Sequence, residues 1–160
     1  MQTMRNLAIL LLILFPMQTS TVTESAVFHT IPKPILAFGK KDIDCLAHNI
    51  YHEARGESIK GQIAVAAVTI NRLLAQGYSS SICKVVYQPY QFSWVKLLKN
   101  HYPKNKSQYQ VAHAIATNYL QGRLKDPTKG SLFYHANYVL PKWSKRLTHT
   151  VTIGNHLFYA

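Results

Sequence analysis

The sequence predicts an α+β domain over residues 41–160, with helices first and a small antiparallel sheet last. Apolar residues recur at helical spacing in the first part, and an alternating, β-branched segment meets a Gly-Asn turn near the end. An Asp-Pro-Thr-Lys-Gly turn over residues 126–130 separates the two parts. A chain of 160 residues is long enough for one domain with a hydrophobic core.

Two long helices are predicted first. One runs from about Asp42 to Glu57, with Asp42 or Asp44 at its start and Gly56 weakening its end. The next begins at Ile59 or Lys60 and continues to Gln76, because its apolar residues recur every three or four positions. Gly77 fits the stop of this second helix.

A short helix and a further long one follow. Ser81 is predicted to cap a helix over residues 82–86, and residues 87–94 are predicted to be irregular, since they are rich in aromatic and amide side chains. The last helix is predicted from Ser107, acting as its N-cap, to Leu120.

Three segments then favour strands. Leu132–His135 reads as one strand, and Thr148–Ile153 alternates and is rich in β-branched residues. Gly154 and Asn155 supply a tight turn, after which His156–Tyr159 is predicted to return as a third strand.

The net charge of the chain indicates which kinds of partner it can attract. The chain has 18 Lys and Arg residues against 6 Asp and Glu residues, a net charge of +12. Such a surface attracts nucleic acid, anionic membranes or anionic wall polymers. The lysines are scattered and no nucleic-acid-binding module is recognisable, so we expect attraction to an anionic polymer, no nucleic-acid partner and a monomeric protein.

The N-terminus predicts export. Arg5 and the amino terminus precede an apolar run over Leu7–Phe15, which is too short for an ordinary membrane-spanning helix. We therefore expect a signal peptide over residues 1–25 and a proline-containing linker over residues 26–40; an uncleaved anchor is the alternative. The protein is expected in the periplasm, the cell wall or outside the cell, touching the membrane only through this segment.

The chain has two cysteines, and whether they pair depends on whether the protein is exported. An exported protein with an even cysteine count favours a disulfide, here between Cys45 and Cys83. Such a bond would join the first helix to a later segment, whereas the alternative is two free buried thiols.

Glu53 and Glu57 are the main candidates for catalysis. A projection of the first predicted helix at about 100° per residue places both carboxylates on its apolar stripe. Inward-facing carboxylates cost free energy unless they are paired, hydrogen-bonded or protonated. A general acid in a cleft needs this kind of raised pKa. The structural alternative for Glu53 is an ion pair with Arg55 or Arg72.

The scarcity of acids favours a mechanism with one carboxyl group. A glycoside hydrolase commonly uses two carboxyl groups, one to protonate the leaving oxygen and a second for water or a glycosyl intermediate. A lytic transglycosylase needs only the acid, because the muramoyl 6-hydroxyl attacks internally. Beyond the two glutamates and the predicted leader, the chain holds only Asp42, Asp44 and Asp126.

The histidines and cysteines offer two other chemistries, a metal site and a cysteine nucleophile. His48 and His52 have the i, i+4 spacing of metal ligands, but the projection places them opposite Glu53 and no His-Glu-x-x-His motif is present. We therefore expect no metal and no cofactor. Cys45 or Cys83 with His135 would imitate a cysteine nucleophile, which pairing of the two cysteines would prevent.

Aromatic and amide side chains form a candidate sugar-binding set. Sugar rings stack on aromatic rings, and amides fix hydroxyl and acetamido groups. The alternative for the aromatic members is core packing. The set comprises Tyr87, Gln88, Gln91, Phe92, Trp94, Tyr134, His135 and Trp143.

An ordered series of motifs resembles the cell-wall hydrolase family typified by the spore-cortex-lytic enzymes of the SleB and CwlJ type. The resemblance covers about Asp44 to Tyr159. Its motifs are Cys-Leu-Ala at 45–47, Asn-Ile-Tyr-His-Glu-Ala-Arg-Gly-Glu-Ser at 49–58, Gly-Gln at 61–62, Val-Thr-Ile-Asn-Arg at 68–72, Ser-Ile-Cys at 81–83, Gln-Phe-Ser-Trp at 91–94, Asp-Pro-Thr at 126–128, Tyr-His at 134–135 and Ile-Gly-Asn-His-Leu-Phe-Tyr at 153–159.

The resemblance implies a domain like lysozymes and lytic transglycosylases, with a helical lobe and a small β part. It implies peptidoglycan glycan strands as substrate, cleavage between N-acetylmuramic acid and N-acetylglucosamine, and Glu53 as the catalytic acid. Glu57, Asn49 and Gln62 join the expected substrate-binding residues. Tyr90 departs from the family pattern, because relatives often have Gly there.

Two alternatives remain open from the sequence. One is an N-acetylmuramoyl-L-alanine amidase acting on the same wall substrate, since some relatives carry that label. The other is a non-catalytic wall-binding module, against which the inward carboxylates argue.

Overall fold

The computed structural model describes residues 38–75, 80–98 and 100–160. The predicted signal or anchor, most of the predicted linker and the expected helix stop at Gly77 lie outside these residues. No helix in the described ranges is both long and apolar enough to span a membrane.

The described chain forms five α-helices, three strands and one short 3₁₀ helix, which confirms the predicted α+β class. The helices are α1 (Lys40–Ala54), α2 (Ile59–Leu74), α3 (Ile82–Val86), α4 (Ser93–Leu97) and α5 (Lys106–Leu120). The strands are β1 (Phe133–Ala136), β2 (His149–Ile153) and β3 (His156–Tyr159), and the 3₁₀ helix is Lys142–Arg146.

The main hydrophobic core forms around α1. Leu46, Ala47 and Ile50 are fully buried, and they belong to one cluster with residues of α2, α3 and α5. The helical spacing of these residues turns one face of α1 inward, and burying that face stabilises the helix more than propensity does. The helix that carries Glu53 is therefore held by neighbouring helices.

The predicted disulfide is confirmed. Cys45 and Cys83 are bonded with an S–S distance of 2.08 Å, which joins α1 to α3 across 38 residues of sequence. The alternative of two free thiols is therefore wrong for this structure.

The three strands form one antiparallel sheet with the order β1-β3-β2. The central strand is β3, whose Phe158 pairs with Tyr134 of β1, while His156 pairs with Ile153 of β2. Ile153 and Phe158 form a second core cluster with Ala64 and Val68, so the sheet packs on α2. This packing brings the inner face of β1 toward the end of α1.

Three helix boundaries differ from the prediction, and the first is the start of α1, which begins at Lys40 with Gly39 as its N-cap residue and not at Asp42 or Asp44. The first helix ends at Ala54, so Glu57 lies in the following turn, and Ser58 begins α2 by accepting a 3.2 Å hydrogen bond from the Gly61 N–H. A serine at this position caps the next helix more effectively than it extends the previous one. The second helix ends at Leu74, before the predicted Gln76.

The remaining differences lie in the middle of the chain. Residues 93–97, partly inside the segment predicted as irregular, form α4. Asn105, and not Ser107, caps α5, because its side-chain oxygen accepts the Gln108 N–H at 3.1 Å. The 3₁₀ helix was not predicted from the sequence.

Candidate active site

The candidate site centres on the carboxyl group of Glu53, in the last turn of α1. Its Oε2 accepts a 2.8 Å hydrogen bond from the hydroxyl of Tyr134 on β1. Burial raises the pKa of Glu53, while the Tyr134 hydrogen bond and the positive charge of Arg72 oppose that rise. Because burial is the largest of these effects, the carboxyl group keeps its proton to a higher pH than an ordinary glutamate does.

Arg72 is the nearby cation, and it is held firmly. Its side chain is 4% exposed, and its Nε donates to the Leu132 carbonyl at 2.6 Å. With the Gln91 amide oriented to satisfy both partners, the Gln91 oxygen accepts from both terminal guanidinium nitrogens at 2.9 and 3.2 Å. The guanidinium also lies 5.4 Å from the Phe92 ring centre and 5.9 Å from that of Phe133.

Tyr134 is set by its neighbours in the sheet. Its ring meets His156 edge-on at 5.2 Å and lies 5.5 Å from the ring of Phe158. Burial, first, and the adjacent Glu53 raise the pKa of the Tyr134 hydroxyl well above its usual value, so this group remains a proton donor. Burial lowers the pKa of His156, whose Nδ1 has no hydrogen-bond partner among the described residues.

Glu57 is bound to the β2–β3 turn. Its Oε2 accepts the Asn155 backbone N–H at 3.2 Å, and its Oε1 accepts from the Asn155 side-chain amide at 3.0 Å. Two glycines leave room for this carboxylate. A Cβ added at Gly61 would lie 2.9 Å from the Glu57 Cβ, and one added at Gly154 would collide with Oε2.

Gly154 also has a φ of +56°, a conformation that favours glycine. Local sequence patterns could not assign Gly154 or Asn155 to the site, because their contact with Glu57 joins residues almost a hundred positions apart.

Three of the predicted substrate-binding residues are buried beneath the site. Asn49 is 0% exposed, donating to the Thr69 hydroxyl at 3.0 Å and accepting from the Trp94 indole N–H at 3.3 Å. Trp94 is 6% exposed and stacks on His52 at 4.4 Å. Gln62 is 3% exposed and donates to the Glu57 carbonyl at 3.2 Å. Asn49 and Trp94 are therefore packed inside the domain in this structure, and sugar binding by them stays a prediction.

Gln88 and Gln91 lie in the segment between α3 and α4 and are partly buried. Gln91 is engaged by Arg72, as described above. Gln88, like Gln62, has a buried side-chain oxygen without a hydrogen-bond partner among the described residues. Unsatisfied buried acceptors are uncommon in folded proteins.

His135 is separated from Glu53 by the pleat of β1. Successive side chains of a strand point to opposite faces, so Tyr134 and His135 point apart. His135 is 8% exposed, stacks on Tyr159 and lies 3.0 Å from its hydroxyl through Nε2. Trp143 packs edge-on against the same imidazole at 5.5 Å. The structure therefore does not bring His135 together with Glu53.

The i, i+4 histidines of α1 contact other groups. His48 Nδ1 lies 3.3 Å from the Tyr87 hydroxyl, and His52 Nε2 donates to the His101 carbonyl at 3.0 Å. Burial lowers the pKa of both imidazoles, so they are mainly neutral at neutral pH. Within the described ranges, no group of three or more His, Cys, Asp or Glu side chains is arranged to hold a metal ion.

Together, the fold and the site define a lysozyme-like α+β domain with one desolvated carboxyl group between a helix and a small sheet. The chain belongs to the cell wall hydrolase family, whose model matches residues 56–159. That match begins three positions after Glu53, so it does not itself include the candidate acid.

Similar proteins also support the membership of this chain in the family. The spore cortex-lytic enzyme of Bacillus cereus is 29% identical over 122 residues, which cover 76% of this chain and 45% of that protein. The chain thus spans less than half the length of this curated relative.

Two solved structures share the fold. The catalytic domain of the Bacillus cereus SleB protein superposes with a TM-score of 0.66 at 28% identity, covering 77% of this chain and 92% of that one. The catalytic domain of the germination-specific lytic transglycosylase SleB from Bacillus anthracis gives a TM-score of 0.67 at 28% identity, covering 78% and 98%.

Proposed function

We propose that this protein cleaves the glycan strands of peptidoglycan at the β-1,4 bond between N-acetylmuramic acid and N-acetylglucosamine, as a lytic transglycosylase. Glu53 is the single catalytic acid and base. Membership of the cell wall hydrolase family supports the substrate, and one structurally similar domain is described as a lytic transglycosylase.

One observation carries the proposal: the Glu53 carboxyl group is desolvated and held by the Tyr134 hydroxyl. A general acid must be protonated at the working pH and aimed at the leaving oxygen. Burial supplies the raised pKa, and the hydrogen bond fixes the orientation of Oε2. The other carboxyl oxygen, Oε1, is the atom that would face the glycosidic bond.

The reaction then follows in two proton transfers. Glu53 donates its proton to the glycosidic oxygen as the bond from the muramoyl C1 to that oxygen breaks, releasing the N-acetylglucosamine hydroxyl. The muramoyl 6-hydroxyl attacks C1, and its proton passes to the Glu53 carboxylate. The product has a 1,6-anhydro ring, and Glu53 is protonated again for the next cycle.

The hydrogen bonds of Glu57 support this one-acid mechanism. Both of its oxygens accept hydrogen bonds from Asn155. A second catalytic carboxylate would have to activate water or attack the sugar. We propose instead that Glu57 positions the β2–β3 turn beside the site.

Some of the remaining predicted residues contact the sugar in this proposal, and others hold neighbouring groups in place. Gln62 and Gln88 have unpartnered oxygens, which sugar hydroxyl or acetamido groups would satisfy after a side-chain rotation. Gln91 acts through Arg72, and Asn49 and Trp94 support α1 from below. Export of the protein, a monomeric state and membrane contact only through the N-terminal segment remain part of this proposal.

The test compares wild-type protein with Glu53→Gln on purified peptidoglycan, with the released fragments identified by mass spectrometry. We expect anhydro-muramoyl products from wild type and a loss of at least about a thousandfold in the variant, since Gln cannot donate a proton. Far-UV circular dichroism and urea unfolding establish that the variant is folded.

Other products would overturn parts of the proposal. Reducing sugar ends would mean a hydrolase, and free peptides would mean an amidase. Sedimentation with sacculi without any fragment release by wild type would mean a binding module. Full activity in folded Glu53→Gln would remove Glu53 from the mechanism.

A further inference from the structure

A cavity of about 640 Å³ lies on a different side of α1 from the Tyr134 contact. Its wall is formed by the end of α1, the segment after α4 and the beginning of α5. This volume is in the usual range for ligand sites, roughly 300–1,000 Å³. We call it the basic cavity. Tyr51, Arg55, Tyr102, Lys104, Asn105 and Lys106 are among the residues that line it.

The charge of the basic cavity has one sign. Arg55, Lys104 and Lys106 contribute three cations, and no acidic residue is among the described residues that line it. Lys106 begins α5, so the positive end of that helix dipole adds to their field. A wall of one charge sign attracts and concentrates the opposite ion.

Contacts among the lining residues hold the wall of the cavity in place. The Tyr51 hydroxyl accepts the Asn105 backbone N–H at 3.0 Å, which ties the beginning of α5 to α1. The guanidinium of Arg55 lies 5.1 Å from the centre of the Tyr51 ring, which limits its freedom before any ligand arrives. Tyr102 is 68% exposed and presents an aromatic ring at the rim.

We propose that the basic cavity binds carboxylate groups of the peptides attached to the glycan strand, and so holds the substrate of the proposed reaction. Guanidinium and ammonium groups form charge-assisted hydrogen bonds with carboxylates. The inference rests on the proposed function, because it assumes that the glycan strand lies at Glu53.

The geometry allows one strand to occupy both places. Arg55, the C-cap residue of α1, follows Glu53 by two positions and has helical backbone angles, which places it about 200° around the helix axis. A helix with its side chains is roughly 10–12 Å across. An extended peptide of four residues reaches roughly 13–14 Å. The reach of such a peptide is therefore similar to the width of α1, which is the span that a path past the end of α1 into the cavity requires.

The test measures binding without turnover, in the Glu53→Gln background. One variant adds Arg55→Gln, Lys104→Gln and Lys106→Gln. The matched control adds Lys125→Gln, Lys142→Gln and Lys145→Gln, which remove the same charge from exposed sites that do not line the cavity. The two probes are soluble glycan strands with tetrapeptides and the same strands after an amidase has removed the peptides.

We expect the cavity variant to bind peptide-bearing strands at least about tenfold more weakly than its parent, about 1.4 kcal/mol. Its binding to stripped strands should change by less than about twofold, and the control should lose little on either probe. Urea midpoints verify folding; if the triple variant is unfolded, Lys104→Gln with Lys106→Gln is measured in its place.

Three results would overturn the inference. Equal losses in the cavity and control variants would show a general charge effect. Equal losses on both probes would place sugar in the cavity. A loss seen only with a third probe, glycan strands that retain phosphate-rich wall polymers, and not with the peptide-bearing strands would assign the cavity to phosphate. Because no cleavage is measured, failure of the Glu53 mechanism is detected separately, by the fragments released from peptidoglycan.

Discussion

The hydroxyl of Tyr134 donates a 2.8 Å hydrogen bond to Oε2 of Glu53 across 81 residues of sequence. The contact joins the last turn of α1 to the edge strand β1. It stabilises the ionised carboxylate, while burial disfavours it more strongly. Burial thus raises the pKa of Glu53, while the Tyr134 hydrogen bond and the positive charge of Arg72 lower it, and the contribution of Tyr134 can be separated by mutation.

Tyr134→Phe should raise the pKa of Glu53 further. The lost hydrogen bond favours the charged form, so its removal makes the carboxyl group a weaker acid. In the proposed mechanism the alkaline limb of the pH–rate profile moves to higher pH, and kcat falls about tenfold because Oε2 loses its orientation. Tyr159→Phe, which removes a hydroxyl that contacts His135, should leave the limb in place. An unchanged limb in Tyr134→Phe would contradict this account.

Glu53→Gln should stabilise the fold at neutral pH. A carboxyl group whose pKa is raised by folding holds a proton that the unfolded chain has released, so stability decreases as pH rises from the unfolded value through the folded one. Gln does not ionise, so the variant does not lose stability over this pH range. Its advantage in urea unfolding should be small at pH 4 and grow to the order of 1 kcal/mol at pH 7. A pH-independent difference would show that Glu53 is not desolvated.

Gly154→Ala should damage the turn beside the site in two ways. The φ of +56° is unfavourable for alanine, and the new Cβ meets the Glu57 carboxylate. We expect a loss of more than about 2 kcal/mol in the free energy of unfolding. Chemical denaturation measures it.

Gly130→Ala is the matched control for this prediction. Gly130 has a φ of +80°, but an added Cβ meets nothing within 4 Å, so this change should cost only about 1 kcal/mol. Adding Glu57→Ala to Gly154→Ala should recover part of the difference. Equal costs at the two glycines would mean that the Glu57 contact has no energetic weight.

Replacing both Cys45 and Cys83 with Ser should lower stability by about 4 kcal/mol. The bond closes a loop of 38 residues, and the chain-entropy relation gives that figure. Wild type should lose a similar amount in reductant, whereas the double variant should not respond to reductant. A reductant-sensitive double variant would point to an effect other than this bond.

Tyr90→Gly should stabilise the protein by about 0.5–1 kcal/mol. Tyr90 has a φ of +65° and is 93% exposed, with Lys96 5.9 Å from its ring centre. Removing the left-handed strain outweighs the added chain entropy and the exposed cation–ring contact. Tyr138→Gly, at an exposed tyrosine with ordinary φ, should give no gain. The positive φ thus gives a physical reason to expect that glycine is tolerated better than tyrosine at this position.

Local sequence patterns predicted the helices and strands because those depend on periodicity and turns. Glu53 could be placed on an inward face for the same reason. The position of Glu57 could not be predicted in this way. The prediction continued the first helix to Glu57, whereas Ser58 caps the start of α2. The contacts of Arg72 and Asn155 also had no local signal, because their partners come from distant elements.

The position of β3 has a consequence for when the protein can become active. Both β1 and β2 pair only with β3 in the sheet, and β3 is the last described element to leave the ribosome. A nascent or truncated chain that stops before residue 156 would contain Glu53 but lack the strand that holds Tyr134 in place. If Glu53 acts as proposed, such fragments should be inert, so activity would begin only after the last strand has been synthesised and the whole domain has folded.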